Sequence, residues 1–253
     1  MSTLSPAVKI HLERPLPPDE FLDRVYDELH RAEKELSPGR LAGLLVEGKL
    51  TREQLKQFAI HLWWLVNEIQ KTHGYIYQNC PIEAARKELI MNLIVEEGPP
   101  GPTHPELYVE FCEKAFGVSR EELESTRPLA TTVAARNHIL WVALTKSWLE
   151  GIAAVVIGGE KGGDKSRDNP LYTMSNALHN RYGIPWEALR FFTVHVELEQ
   201  GEKAEEHGEI GPRLLMQYAT TADIQEKVLA AVWDGVMMHK VFFDGLYHYI
   251  LGD

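Results

Sequence analysis

Residues 51–69 read TREQLKQFAIHLWWLVNEI. The stretch opens with a threonine and has a glutamine three positions later, which is the spacing of a capping box at a helix N-terminus. Apolar residues then recur every three or four positions and so share one face of an α-helix; they are Leu55, Phe58, Leu62, Leu65, Val66 and Ile69. The pattern predicts a helix from Thr51 to Tyr77 with one buried face.

The rest of the chain carries the same helical periodicity. It predicts further helices over residues 19–36, 82–97, 105–116, 119–125, 129–157, 171–182, 185–207 and 222–250. In the last of these the predicted buried face is Ile224, Val228, Val232 and Val236. Alternating β-branched runs between hairpin turns are absent. We therefore expect an all-α bundle of about seven main helices, forming a single domain over residues 1–253 with residues 1–17 as an extended N-terminal arm.

Charge and cysteine content narrow the classes of function. The chain has 26 lysines and arginines against 37 aspartates and glutamates, a formal net charge of -11. This charge repels phosphate backbones and anionic lipid surfaces, so nucleic-acid and membrane partners are disfavoured. The two cysteines, Cys80 and Cys112, are too few for a disulfide framework. We expect a cytoplasmic protein that acts on a small molecule, and a homodimer is the expected candidate assembly.

Candidate chemical groups lie in three parts of the chain. Glu96 ends an apolar stretch and is followed across a Gly-Pro turn by His104, while Glu160 follows a second apolar run. The third part, residues 195–207, reads HVELEQGEKAEEH. If this part is an α-helix, one face of it carries four possible ligands within about 60° of one another: His195, Glu199, Glu202 and Glu206. His207 lies about 120° around the helix from His195. Helical bundles build iron and manganese sites from such imidazole and carboxylate groups.

Each of these residues also has a structural interpretation. A glutamate-rich helix is usually a solvated face, and a glutamate before Gly-Pro usually points at water. We interpret Cys112 as an inert buried thiol and residues 158–170 as a solvated loop or a lid. The remaining histidines of interest are interpreted as ordinary core or surface residues; they are His61, His73, His138, His179, His239 and His248.

Four stretches carry a family resemblance: VEGKLTREQLKQFA at 46–59, Cys80-Pro81, NLIVEE at 92–97 and FGVSREEL at 116–123. They resemble the haem-oxygenase-like superfamily, in the branch of pyrroloquinoline-quinone synthase, the TenA thiaminases and the haem-oxygenase-like diiron oxidases. The resemblance covers residues 30–250 and implies one compact helical bundle. It further implies a non-haem iron oxidase, with a diiron centre as the leading expectation, O2 as co-substrate and a small amino-acid-like or carboxylate metabolite as substrate.

The resemblance also implies a ligand set. The metal ligands carried over are Glu96, His104, Glu160, His195, Glu199 and His207, and the first four are also the implied catalytic residues. The closing histidine is ambiguous, because the family spacing counted from His195 falls on Glu202, whereas the downstream sequence match falls on His207. If His207 is correct, about five extra residues lie inside the stripe.

The sequence distinguishes among the other activities of the superfamily. The oxidases that convert their own tyrosine to p-aminobenzoate keep a tyrosine just before the second glutamate, where this chain has Gly159. The thiaminases use a cysteine in a late helix, where this chain has none. Both activities are therefore disfavoured. A metal-free oxidase like the quinone synthase, or a non-catalytic helical binding or regulatory protein, stays open.

Overall fold

The computed structural model describes residues 10–36, 39–98, 101–161, 170–194 and 208–252, and within these ranges it is helical without any strand. The α-helices are α1 Pro18–Leu36, α2 Arg40–Val46, α3 Arg52–Val66, α4 Ile69–Asn79, α5 Glu83–Glu97, α6 His104–Phe116, α7 Arg120–Ser125, α8 Ala130–Thr145, α9 Trp148–Ile152, α10 Pro170–Tyr182, α11 Ile210–Tyr218 and α12 Ala222–Leu251. The all-α prediction is confirmed. None of the described helices combines the length and apolar character needed to cross a lipid bilayer.

Two long helices predicted from periodicity are each divided in two. The capping box of Thr51 and Gln54 starts α3 as predicted, but the helix ends at Val66 and α4 begins at Ile69, so a continuous helix to Tyr77 was wrong. The predicted helix over residues 129–157 is broken at Lys146, whose backbone is extended. Ser147 and Glu150 then form a new capping box, which competes with continuation of α8.

Two short elements were not predicted from the helical periodicity. The helix α2 was not predicted, because its seven residues span only two turns. Trp186–Ala188 forms a 3-10 turn rather than the start of the predicted helix over residues 185–207. Residues 190–194 are helical, and residues 195–207 lie outside the described ranges.

The N-terminal arm packs along the last helix. The backbone N–H of Leu12 donates to Glu226 Oε1 at 2.6 Å, and that of Leu16 donates to Gln225 Oε1 at 2.8 Å. Residues 1–9 of the predicted arm lie outside the described ranges. A single domain over residues 1–253 stays a prediction.

The core is organised around α12, which packs against α1, α8 and the segment that follows α9. Val228, Val232 and Val236 are fully buried as predicted, whereas Ile224 is only partly buried. Burying apolar side chains along this helix supplies the main driving force for the bundle.

The segment after α9 is a π-helix, Ala153–Gly159, in which the backbone N–H of Glu160 donates to the carbonyl oxygen of Val155. Gly158 is buried inside this helix and Gly159 ends it, so the predicted loop over residues 158–170 does not begin at 158. Residues 162–169 lie outside the described ranges. Gly158 crosses Gly235 of α12 so closely that a Cβ on Gly235 would lie 2.0 Å from the carbonyl oxygen of Ala154. This crossing fixes the end of the π-helix against the core.

Candidate metal centre

A tight turn brings the end of α5 back beside the start of α6. Gly98 has a φ of 68°, and a Cβ there would lie 2.1 Å from the carbonyl oxygen of Pro102, so the turn requires glycine. Thr103 then caps α6 through a capping box with Glu106. The turn places Glu96 Oε2 2.8 Å from His104 Nδ1, and both side chains are buried. Glu97, one residue later, is exposed.

A second carboxylate and imidazole pair lies beside the first. Glu160 follows the π-helix, and its Oε1 lies 3.2 Å from Nε2 of His73 on α4. The imidazole of His73 is 4% exposed and the carboxylate of Glu160 20% exposed. Insertions of π-helix into helical proteins are frequent at functional sites, and here the insertion ends at a glutamate that faces the interior.

Three of these four side chains converge on one point. His73, Glu96 and Glu160 each offer a ligand atom, and these atoms all lie within 4.8 Å of one another. Buried carboxylates are costly unless they are paired or bind a metal. Imidazole and carboxylate ligands in this mixture suit iron. The imidazole of His104, 2.8 Å from Glu96 Oε2, restricts the orientation of the Glu96 carboxylate. We call His73, Glu96, His104 and Glu160 the carboxylate–histidine cluster.

Without a metal, the cluster holds a charged imidazole. Burial lowers the pKa of His73, but the charge and hydrogen bond of Glu160 and the charge of Glu96 outweigh it and raise the pKa to about 9. The two carboxylates therefore stabilise the protonated imidazole in the folded protein. A divalent cation would supply the same compensation, with His73 deprotonated to act as a ligand.

This pairing predicts a pH-dependent stability of the metal-free protein. His73 binds its proton more tightly folded than unfolded, where its pKa is near 6.5. Its stabilisation is therefore complete below pH 6.5 and is lost as the pH rises towards 9, by about 1–3 kcal/mol. Urea unfolding at both pH values measures this loss, and His73→Gln should remove it. An equal loss in the variant would contradict the assignment.

The cluster opens into a cavity of about 530 Å³. Glu96, His104 and Glu160 form part of its wall. Most of the wall is apolar, contributed by residues such as Leu62, Leu65, Ile139, Val155, Met174 and Phe243. His239 of α12 also lines the cavity. Burial and the charge of Lys161 lower the pKa of His239 to about 3, although the charge of Glu33 acts in the opposite direction. A mainly apolar pocket with a few converging polar groups is typical of a small-molecule site.

Of the ligands predicted from sequence, the structure brings Glu96 and Glu160 together with converging ligand atoms. His104 contacts Glu96 and lines the cavity, but it does not belong to that converging group. The other predicted ligands lie outside the described residues; they are His195, Glu199 and His207, with Glu202 as the alternative. Phe191, which lines the cavity, lies four residues before His195. The ligand set as a whole stays a prediction.

His73 was missed by the sequence analysis, which interpreted it as an ordinary histidine. Its one available signal is position: it lies four residues after Ile69 and three before Ile76, on the inner face of α4. His239 was passed over in the same way, although it lines the cavity. His138 pairs instead with Asp234, at 3.2 Å.

Neither cysteine belongs to the cluster. Cys112 is fully buried in α6, and burial raises the pKa of its thiol far above the usual range. Burial likewise raises the pKa of Cys80. A thiol that stays protonated is a poor nucleophile and a poor metal ligand, which supports the interpretation of Cys112 as inert.

A sequence profile described as "Iron-containing redox enzyme" matches residues 56–240, well over half of the chain. The chain belongs to this family. The match includes His73, Glu96, His104 and Glu160, and it supports the haem-oxygenase-like resemblance.

Two curated relatives of this chain are named 4-aminobenzoate synthase. The one from Chlamydia muridarum is 33% identical over 109 residues, which are 43% of this chain and 45% of the relative. The one from Chlamydia trachomatis is 32% identical over 109 residues, covering 43% and 46%. The matched region thus spans just under half the length of these relatives.

Solved structures confirm the fold. A TenA homologue from Pseudomonas syringae has a TM-score of 0.70 at 15% identity, covering 94% of this chain and 100% of its own. A haem-oxygenase-like domain from Shewanella denitrificans scores 0.71 at 13% identity, covering 92% and 93%. A CADD-like protein from Nostoc punctiforme scores 0.70 at 15% identity, covering 91% and 98%. These likenesses establish a haem-oxygenase-like fold for this chain.

Proposed function

We propose that this chain is a non-haem iron oxidase that activates O2, with a dinuclear iron centre at the carboxylate–histidine cluster. The observation that carries the proposal is the convergence of His73, Glu96 and Glu160, with ligand atoms within 4.8 Å of one another, where Glu96 and Glu160 line a mainly apolar cavity. Membership of the iron-containing redox enzyme family supports the choice of metal. Bound iron would supply electrons and an open coordination position for O2.

The protein's own residues have separable roles in this proposal. Glu96 and Glu160 provide the negative charge that holds a cation, and His73 provides a nitrogen ligand. His104 orients Glu96 through its 2.8 Å contact. The apolar cavity wall excludes water from the reacting region and leaves room for a substrate. His195, Glu199 and either His207 or Glu202 would complete a second set of ligands.

The proposed substrate is a small amino-acid-like or carboxylate metabolite. The curated relatives are named 4-aminobenzoate synthases, but the resemblance implies that the self-sacrificing form of that reaction keeps a tyrosine just before the second glutamate. Here Gly159 occupies that position, immediately before Glu160, and itself lines the cavity. We therefore propose a reaction on a bound small molecule.

Anaerobic titration with Fe(II) tests the proposal. The purified protein should take up two equivalents of iron, and admission of O2 should produce a transient absorption band as the iron is oxidised. The identical experiment on the heat-unfolded protein provides the control for adventitious binding.

Failure to take up iron would contradict the proposal. It would favour a metal-free oxidase, for which the buried pairs His73–Glu160 and His104–Glu96 offer general acids and bases. Uptake of a single equivalent would contradict the dinuclear part alone.

A further inference from the structure

Arg136 of α8 lines the same cavity but takes no part in the carboxylate–histidine cluster. Its Nε atom is buried and has no hydrogen-bond acceptor among the described residues. Its guanidinium lies 5.9 Å from the ring centroid of Trp64, a contact that satisfies none of the N–H donors. A buried donor without an acceptor destabilises a protein unless a ligand supplies one.

The other charged residues of the cavity wall have counter-charges. Lys161 Nζ lies 3.0 Å from Glu33 Oε1 and donates to the carbonyl oxygen of Gly158 at 2.8 Å. Glu68 pairs with Lys71 at 3.1 Å. Glu96 and Glu160 pair with the imidazoles of the cluster. Within the described ranges, Arg136 is therefore the charged wall residue that has no ion-pair partner.

We propose that the cavity binds an apolar molecule carrying one carboxylate, with Arg136 as the residue that binds the carboxylate. A guanidinium presents parallel N–H groups that match the two oxygens of a carboxylate. The apolar remainder of the ligand would pack along the wall formed by residues such as Leu62, Leu65 and Phe243. The proposal rests on the proposed function and refines its substrate class.

The charges of Arg136, Glu96 and Glu160 disfavour two related classes of ligand. An α-amino acid would place its ammonium group next to the Arg136 guanidinium, where like charges repel. A phosphate ester would carry up to two negative charges into a cavity that already contains the Glu96 and Glu160 carboxylates. A single carboxylate on an apolar body avoids both penalties.

Calorimetric titration of the metal-free protein tests this assignment without relying on iron chemistry. The probes are octanoate, 1-octanol, octyl phosphate and 2-aminooctanoate, which share one apolar chain. We expect octanoate to bind at least about tenfold more tightly than each of the others. Equal affinity for 1-octanol, or no binding of octanoate, would overturn the proposal even if the protein takes up iron normally.

A matched pair of variants locates the binding group. Arg136→Gln should weaken octanoate binding by about tenfold or more, while Arg136→Lys, which keeps the charge, should retain part of it. Arg127→Gln removes the same charge from an exposed position and should leave octanoate binding unchanged. Circular dichroism verifies that each variant is folded. Unchanged octanoate affinity in a folded Arg136→Gln would overturn the assignment, and retained iron uptake in that variant would keep this failure separate from the proposed function.

Discussion

Gly235→Ala is expected to destabilise the protein by at least about 2 kcal/mol. The added Cβ would lie 2.0 Å from the carbonyl oxygen of Ala154 and 2.7 Å from the carbonyl carbon of Gly158. These are backbone atoms, so no side-chain rotation relieves the clash, and α12 must move away from the π-helix. An alanine in an unobstructed helix would instead stabilise it, by up to about 1 kcal/mol. Chemical denaturation measures the difference.

Gly43→Ala in α2 is the matched control, because nothing lies within 4 Å of its Cβ position. It should be neutral or stabilising. The crossing at Gly235 also holds the segment that ends at Glu160, so Gly235→Ala should weaken iron binding while Gly43→Ala leaves it intact. If the two variants have the same free energy of unfolding, α12 and the π-helix do not approach each other as closely at Gly235 as described.

Glu96→Gln is expected to lower iron affinity by about 100-fold or more. The substitution preserves side-chain volume but removes the charge that a cation requires, and it leaves the buried His104 with a neutral neighbour. Metal content after equilibrium dialysis against Fe(II) measures the effect, and circular dichroism establishes that the helices remain.

Glu97→Gln provides the control at the next position. The exposed side chain of Glu97 lies outside the cluster, so its substitution should leave the iron content unchanged. Equal losses in both variants would indicate a general electrostatic effect. Equal retention would show that Glu96 is not a ligand.

Local sequence patterns located most of the helices, and the family resemblance located part of the cluster. Periodicity and capping residues located most helices, and the family resemblance selected Glu96 rather than Glu97. The structure gives a physical reason for that choice: Glu96 lies four residues after Asn92 and seven after Leu89, both of which are buried. A glutamate on this helical face is directed into the core.

Local sequence patterns do not predict contacts between residues that lie far apart in the chain. His73 becomes a candidate ligand only when the fold brings Glu160, far along the chain, within 3.2 Å. The apolar periodicity continues across the breaks at residues 67–68 and 146–147, so it did not predict them. The second break has a local signal that the periodicity does not register, the capping box of Ser147 and Glu150. Arg136 lacked any sequence signal, since its significance comes from a cavity formed by several separate helices.

Anomalous scattering at the iron edge, from crystals grown anaerobically with Fe(II), tests the central claim most directly. The account predicts two peaks at the carboxylate–histidine cluster, with at least one next to His73, Glu96 and Glu160. Crystals of the Glu96→Gln variant, treated identically, should show a reduced peak there. Iron-edge peaks confined to surface sites, with none at the cluster, would contradict the account.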